Sequence, residues 1–232
     1  MRALAIAASL VITTTAVWAD TAQERLTEAS SVFSEIMKTP DKGIPQDLLS
    51  KADCVIILPN VKKAAFVVGG EYGKGFAECR NSTGTGWGAP AAVKLEGGSL
   101  GFQIGGSSTD LILLVMNRHG MSQLMQDKFT LGADASIAAG PVGRTAAAQT
   151  DARLDAEILA WSRSKGLFAG ISLKGASLRP DTKENAALYG KEMTSKEILA
   201  GGNNVTAPDG ARDLIANLNK YAASSSADRS KQ

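Results

Sequence analysis

Apolar positions recur at helical spacing at the start of the chain. Between Thr21 and Lys38 they are Leu26, Ala29, Val32, Phe33, Ile36 and Met37, set against a polar face of Gln23, Glu24, Arg25, Glu28 and Glu35. Thr39-Pro40-Asp41-Lys42-Gly43 stops this helix, and Pro45 opens a short second one through Lys51. From Cys54 to about Arg179 the pattern becomes one of short β runs. They are Cys54–Leu58, Ala65–Val68, Glu71–Cys79, Ala91–Leu95, Leu100–Gly105, Leu111–Met116, Phe129–Ile137, Glu157–Arg163 and Leu167–Leu173. Turn signals separate them at Pro59-Asn60, Asn81-Ser82-Thr83-Gly84, Gly97-Gly98, Gly105-Gly106 and Lys165-Gly166. Met121 to Asp127 reads as a short helix between strands. Glycines inside runs, such as Gly69-Gly70, Gly73 and Gly75, mark bends, bulges or close strand packing.

The last stretch is helical again. Asp181–Tyr189 and Thr194–Ala200 are short helices, the second opened by the capping-box spacing Thr194-Ser195-Lys196-Glu197. Pro208–Tyr221 is longer, with Leu214, Ile215 and Leu218 on one face. The expected fold is α+β: a strongly curved, glycine-rich antiparallel β-sheet or partly closed barrel packed with N- and C-terminal helices. Residues 20–222 form one domain, with a core at about 45–200 and a flexible tail at 223–232.

The first 19 residues have a separate reading. Met1-Arg2 is a short positive segment, Ala3 to Ala16 is apolar and uncharged, and Val17-Trp18-Ala19 puts small residues where a signal peptidase cleaves. The apolar run is too short to span a membrane and a polar segment follows at once, so it predicts a signal peptide cleaved near Ala19-Asp20 and a periplasmic or secreted protein. Among 232 residues there are 25 Lys+Arg and 23 Asp+Glu. Removal of Arg2 with the leader leaves a formal charge of +1. Such a balance creates no whole-protein field for nucleic acid or anionic membranes, so any anion affinity must be local. Export would place the two cysteines, Cys54 and Cys79, in an oxidising compartment. A disulfide between them fits if their strands are neighbours, and two buried thiols fit otherwise. Two distant cysteines are not a zinc site, and neither a metal nor a cofactor is expected.

Catalytic readings mostly fail. The single histidine, His119, lies in Asn117-Arg118-His119-Gly120, which reads as a turn, and no Gly-x-Ser-x-Gly elbow accompanies it. Ser162-Arg163-Ser164-Lys165 has Ser-x-x-Lys spacing without a helix start or partner motif. Gly69 to Gly75 resembles a phosphate loop but is one residue short and ends in glycine where a hydroxyl would hold magnesium. Gly140-Pro141-Val142-Gly143-Arg144 reads as a rigid connection with Arg144 as an anion contact. Asp110 and Asp134, set among apolar residues, read as hydrogen-bonded structural groups. The spacing Gly70-x-x-x-Lys74-Gly75 returns as Gly170-x-x-x-Lys174-Gly175, which would suit two equivalent hairpins or chance.

A binding surface remains. Lys62, Lys63, Lys74, Arg80, Arg144, Arg163, Lys165, Lys174 and Arg179 cluster near glycine turns, where backbone N–H groups can join a cation in holding phosphate. Lys62-Lys63 precedes Phe66, and Lys165 precedes Phe168, so charge lies beside an apolar contact in both places. The N-terminal helix could also enter a membrane interface. Its acidic polar face instead favours packing on the domain's own core.

Four segments in one order, LPNVKKAAFVVGGEYGKG, GFQIGGSSTDLILLVMN, GADASIAAGPVGR and WSRSKGLFAGISLKG, resemble the SYLF-domain family of lipid-binding proteins. The resemblance covers roughly residues 45 to 200. It implies non-catalytic binding of phospholipid, with anionic headgroups at a membrane surface as the expected partner. The lipid-binding candidates are Lys62, Lys63, Phe66, Lys74, Arg144, Arg163, Lys165, Phe168 and Lys174. The alternative is a structural or protein-interaction module of the cell envelope, with an envelope protein or a second copy as partner.

Overall fold

A computed structural model describes residues 21–39, 43–66, 68–81, 86–100, 105–140, 156–164, 167–168, 173–201 and 204–222. The expected leader and tail lie outside these residues. Helix α1 (Ala22–Lys38) starts at a capping box in which Thr21 Oγ1 accepts from Glu24 N–H and the Glu24 carboxylate accepts from Thr21 N–H at 2.8 Å. It buries Leu26, Ala29, Val32, Phe33 and Ile36 against the sheet, as its acidic outer face predicts. Helix α2 (Gln46–Lys51) follows.

The sheet contains β1 (Cys54–Phe66), β2 (Val68–Cys79), β3 (Ala91–Leu100), β4 (Gly105–Val115), β5 (Phe129–Thr130), β6 (Ile137–Ala139), β7 (Ile158–Ser164), β8 (Leu167–Phe168) and β9 (Ser177–Pro180). Its order is β5-β9-β3-β2-β1-β4-β7-β6, with β8 paired to β7. All pairs are antiparallel except β6 with β7. The result is the strongly curled half-barrel with helices at both ends that the pattern predicts.

Both faces of the central strands are buried. One face (Val55, Ile57, Phe76, Ile112, Leu114, Trp161) packs under α1, α2 and α6 (Arg212–Tyr221). The other (Ile56, Leu58, Leu95, Leu111, Leu113, Val115) is covered by Leu124 of α3 (Arg118–Leu124), by Phe129 and Leu131, and by Ile198 of α5 (Ser195–Gly201). Each large aliphatic or aromatic side chain so buried contributes about 1.5–3 kcal/mol. Helix α4 (Thr182–Tyr189) continues along the β3 edge past the end of β9. There Asn185 Oδ1 accepts from Ala92 N–H at 2.7 Å.

Several turn signals turn out to be strand. Pro59-Asn60 is a bulge inside one long β1, where the register with both neighbours shifts. Proline has no N–H to give a ladder, and Asn60 takes the left-handed φ of 51°. Gly97-Gly98 and Gly105-Gly106 lie within β3 and β4, because ladder pairing overrides glycine's turn preference when both neighbouring strands extend. Gly75 is required by close approach, since a Cβ there would overlap the Ile57 carbonyl. The expected strand Phe129–Ile137 breaks into β5 and β6 around a turn at Gly132, whose φ is 79°. The helix expected at Met121–Asp127 starts earlier, at Arg118, because Asn117 caps it. Strand β9 has no counterpart in the hydrophobic pattern. Pro208–Tyr221 divides into a 3-10 turn at Asp209–Ala211 and then α6. Lys74-Gly75 lies in mid-strand whereas Lys174-Gly175 is a turn, so the repeated spacing does not mark equivalent hairpins.

Cys54 and Cys79 face each other across β1 and β2 and are joined by a disulfide. For a sequence separation of 25 residues, loss of the link should cost about 3 kcal/mol. The Cys54→Ser/Cys79→Ser double variant should show that loss as a lower urea midpoint, and reductant should shift the wild type but not the variant.

Candidate functional site

Lys74, Arg80 and Arg163 reach into the buried layers and find partners there, and this pairing separates them from the basic residues that face outward. Lys74 projects from β2 to the start of α4, with its ammonium 2.7 Å from Asp181 and 2.9 Å from Glu184, and Arg25 of α1 also pairs with Glu184. Burial alone would lower the Lys74 pKa, but the hydrogen bonds to these carboxylates outweigh it and raise it. Burial likewise pushes Asp181 up, while the Lys74 ammonium and the Glu184 N–H together hold it below the usual carboxylate range. Arg163 of β7 bonds Glu35 of α1 at 2.7 Å and Asp110 of β4 at 3.0 Å. Asp110 also accepts the Asn60 N–H freed by the bulge, and Asp134 accepts from Thr130 N–H, so both are the hydrogen-bonded structural groups expected of them. Arg80 is buried against Trp87 and donates to the carbonyls of Leu49, Ser50, Ala52 and Ala222, joining the C-terminal ends of α2 and α6.

Lys62, Lys63 and Lys174 are placed differently. Lys62 is exposed on β1, and its ammonium meets the Ser108 hydroxyl at 3.3 Å. Lys63 stands 3.9 Å from Glu71. Lys174 is exposed in the turn before β9. Phe66 ends β1 and Phe168 lies in β8, while Arg144 and Lys165 fall outside the described residues.

Register brings most of these to one end of the sheet. Phe66, Val68 and Leu100 form its last row. The next two rows, Ala65-Gly69-Ser99-Gly105 and Ala64-Gly70-Gly98-Gly106, are nearly free of side chains. Behind them come Lys63-Glu71-Gly97-Ser107 and Lys62-Tyr72-Glu96-Ser108. At about 3.3 Å per residue, the lysines stand about 10–13 Å behind the apolar row. Tyr72, at 46%, is the one large apolar side chain exposed among the described residues. The C-terminal end of β7 points to the same end, because Arg163 of β7 lies opposite Asp110 of β4. Glu71 and Gly97 escaped the sequence reading. Their signal is a charged residue set directly after one glycine pair and opposite another.

The residues weighed for catalysis lie in separate elements. His119 lies exposed in the first turn of α3, and its ring nitrogens meet Glu157 and Gln123. Ser162 is buried in mid-strand, and Gly69 to Gly75 is strand throughout the described residues with no helix after it.

The chain matches the family described as Ysc84, Las17-binding protein actin regulator, over residues 96–221. It belongs to the Ysc84, or SYLF-domain, family. An SH3 domain-containing protein of Schizosaccharomyces pombe is 37% identical over 76% of this chain and 41% of its own length. LAS seventeen-binding protein 3 of Saccharomyces cerevisiae is 35% identical over 69% of this chain and 35% of its own length. SH3 domain-containing YSC84-like protein 1 of Rattus norvegicus is 33% identical over 82% of this chain and 55% of its own length. The chain thus spans between about a third and about half of these relatives. The family description names actin regulation and Las17 binding, and the second of these relatives is named for that binding.

Two stability predictions follow from the buried charges. Lys74→Met leaves Asp181 without its hydrogen-bonded cation and should cost about 2–3 kcal/mol, whereas Lys62→Ala should stay within about 0.5 kcal/mol by thermal or urea unfolding. Glu78 is 1% exposed, neither of its carboxylate oxygens accepts a hydrogen bond, and burial pushes its pKa well up. The native state then holds a proton that the unfolded chain releases above about pH 4.3, so stability declines as pH rises from there. Glu78→Gln should remove that part of the decline, seen in urea midpoints between pH 4.5 and 7.

Proposed function

We propose that this SYLF-domain protein binds phospholipid without catalysis and rests on an anionic membrane surface by the open end of its sheet. The observation that carries this reading is the spacing of the registered rows: an apolar row at the tip, two rows of small residues, then Lys62 and Lys63. A peripheral binder needs apolar atoms at the acyl boundary and cations at headgroup depth, and lysine stems reach back along the strand to meet phosphates. Lys74 and Arg163, whose carboxylate partners lie within hydrogen-bond distance, serve the fold in this reading, while Lys62, Lys174 and Lys63, whose carboxylate stands 3.9 Å away, serve the surface. Export belongs to the same proposal. The leader-like first 19 residues and a cross-strand disulfide suit an oxidising envelope compartment, where the lipids would be envelope anionic lipids.

A second reading, a protein-interaction module, is favoured by the family description and by relatives named for binding Las17. Vesicle co-sedimentation separates the two. The protein should sediment with phosphatidylglycerol-rich vesicles and not with neutral ones. Raising the salt from 50 to 200 mM should weaken binding, and Lys62→Glu with Lys63→Gln should weaken it about tenfold or more, at about 1 kcal/mol per charge near the surface. Absence of sedimentation with either vesicle rejects the membrane reading in favour of a protein partner.

A further inference from the structure

Glu71 occupies an unusual position for a carboxylate. It sits on β2, in register between Lys63 of β1 and Gly97 of β3. Only 9% of the residue is exposed, and Oε2, enclosed on the side of Lys63, accepts no hydrogen bond. Its nearest cation, Lys63 Nζ, is 3.9 Å away, beyond hydrogen-bond length. Burial raises the Glu71 pKa, and Lys63 opposes this only in part.

The missing side chain of Gly97 makes the position available. A Cβ on Gly97 would lie 2.6 Å from Glu71 Oε1, so the carboxylate fills the space that any other residue would take. It therefore extends over β3 toward that strand's outer edge. Strand β9 pairs with β3 only as far as Ser177 opposite Glu96. Beyond that pair the edge borders a notch of about 480 Å3, lined by Glu71, Tyr72, Glu96, Gly175, Ser177 and Arg179 together with the glycine floor.

The charges in this notch are unequally satisfied. Glu96 is paired with Lys94 at 3.1 Å and with Arg179 at 3.4 Å. The Arg179 side chain is 42% exposed, leaving guanidinium donors for an anion. A group entering the notch meets Glu71 through Oε1, the oxygen over Gly97, and has to bring N–H donors and positive charge to suit it. A divalent metal would want several oxygen ligands around it, and no cluster of three or more acidic, His or Cys side chains suited to a metal exists among the described residues. A quaternary ammonium has no N–H to give and favours an aromatic cage, to which this notch contributes Tyr72 alone. A primary ammonium a few bonds from a phosphate matches both groups, which reach the β3 edge from opposite faces of the sheet. The notch lies three residues, about 10 Å, behind the apolar row, which is headgroup depth if that row meets the acyl boundary.

We propose that this notch binds a phosphoethanolamine group, with Glu71 accepting from its primary ammonium and Arg179 donating to its phosphate. As a lipid-headgroup subsite the inference rests on the membrane reading above. It names a zwitterionic lipid where that reading names an anionic one.

The test holds the phosphatidylglycerol fraction of vesicles constant and varies the other lipid from phosphatidylcholine through N-methylated forms to phosphatidylethanolamine. The full chain should bind phosphatidylethanolamine vesicles about three- to tenfold more tightly than phosphatidylcholine ones, the scale of one or two charge-assisted hydrogen bonds. Stepwise methylation should erode that gain. Glu71→Gln and Arg179→Gln should each abolish it while binding to phosphatidylglycerol/phosphatidylcholine vesicles persists. A second measurement titrates wild-type protein with soluble O-phosphoethanolamine and with phosphocholine while amide NMR shifts are followed. Shifts at Gly97, Gly175 and Ser177 with the first compound alone support the site, and without vesicle binding they identify a free molecule as its source while rejecting the membrane reading. Equal binding to both vesicle types together with no such shifts overturns the subsite and leaves the membrane reading standing.

Discussion

A sheet buried on both faces has no solvent side on which to leave a polar group. Here α1, α2 and α6 cover one face of the central strands, while α3, α5 and the segments around β5 and β9 cover the other. A group that enters those layers either finds a partner or, like Glu78, gives up its charge, because an unpaired buried charge costs several kcal/mol. Asp110 and Arg163 illustrate the consequence. The bulge at Asn60 releases a backbone N–H, Asp110 accepts it, Arg163 neutralises Asp110, and Glu35 brings α1 onto Arg163. One local irregularity in β1 thereby positions a helix from another part of the chain.

The same constraint sorts the basic residues. Sequence places Lys62, Lys74, Arg80 and Arg163 alike beside glycine or turn signals. Three-dimensional packing separates them by whether a carboxylate or carbonyl lies within reach. Lys74 finds the first turn of α4 and Arg80 finds the carbonyl ends of α2 and α6. Lys62 lies past the end of the helical cover and meets only a serine hydroxyl among the described residues. A candidate binding surface is thus defined by where the cover stops as well as by where charge is dense.

What the sequence made legible follows from how local each determinant is. Helix α1 and the capping box at Thr194 were readable, because their bonds close within four residues, while the equally local box at Thr21 went unread. The curved sheet was readable from glycines inside apolar runs. The lengths of β1, β3 and β4 were not, since Pro59-Asn60, Gly97-Gly98 and Gly105-Gly106 are locally turn-like and become strand only through partners 10 to 50 residues away. Strand β9 failed for the same reason: Ser177–Pro180 is held by its pairing with β3 and not by a pattern of its own. The candidate surface was half legible. Lys62, Lys63 and Phe66 are neighbours in sequence, but the register that sets Glu71 against Gly97 belongs to no single segment.

The bulge also determines which face each half of β1 serves. Before it, the even residues Cys54, Ile56 and Leu58 belong to the layer under α3 and α5; after it, Val61 belongs to that layer. The alternation has slipped by one residue. Without that slip Lys62 would turn toward the α3–α5 layer and Lys63 toward the side of α1. With it, Lys63 falls in the row of Glu71 and Gly97, and Lys62 in the row of Tyr72 and Glu96. Pro59 and Asn60 therefore do more than tolerate a break in the ladder. They let one continuous strand supply core at one end and a surface of matched charges at the other, and glycine at 97 lets a carboxylate from the neighbouring strand reach the rim. The fold and the candidate site consequently depend on the same few backbone irregularities, and a change that straightens β1 would disturb both together.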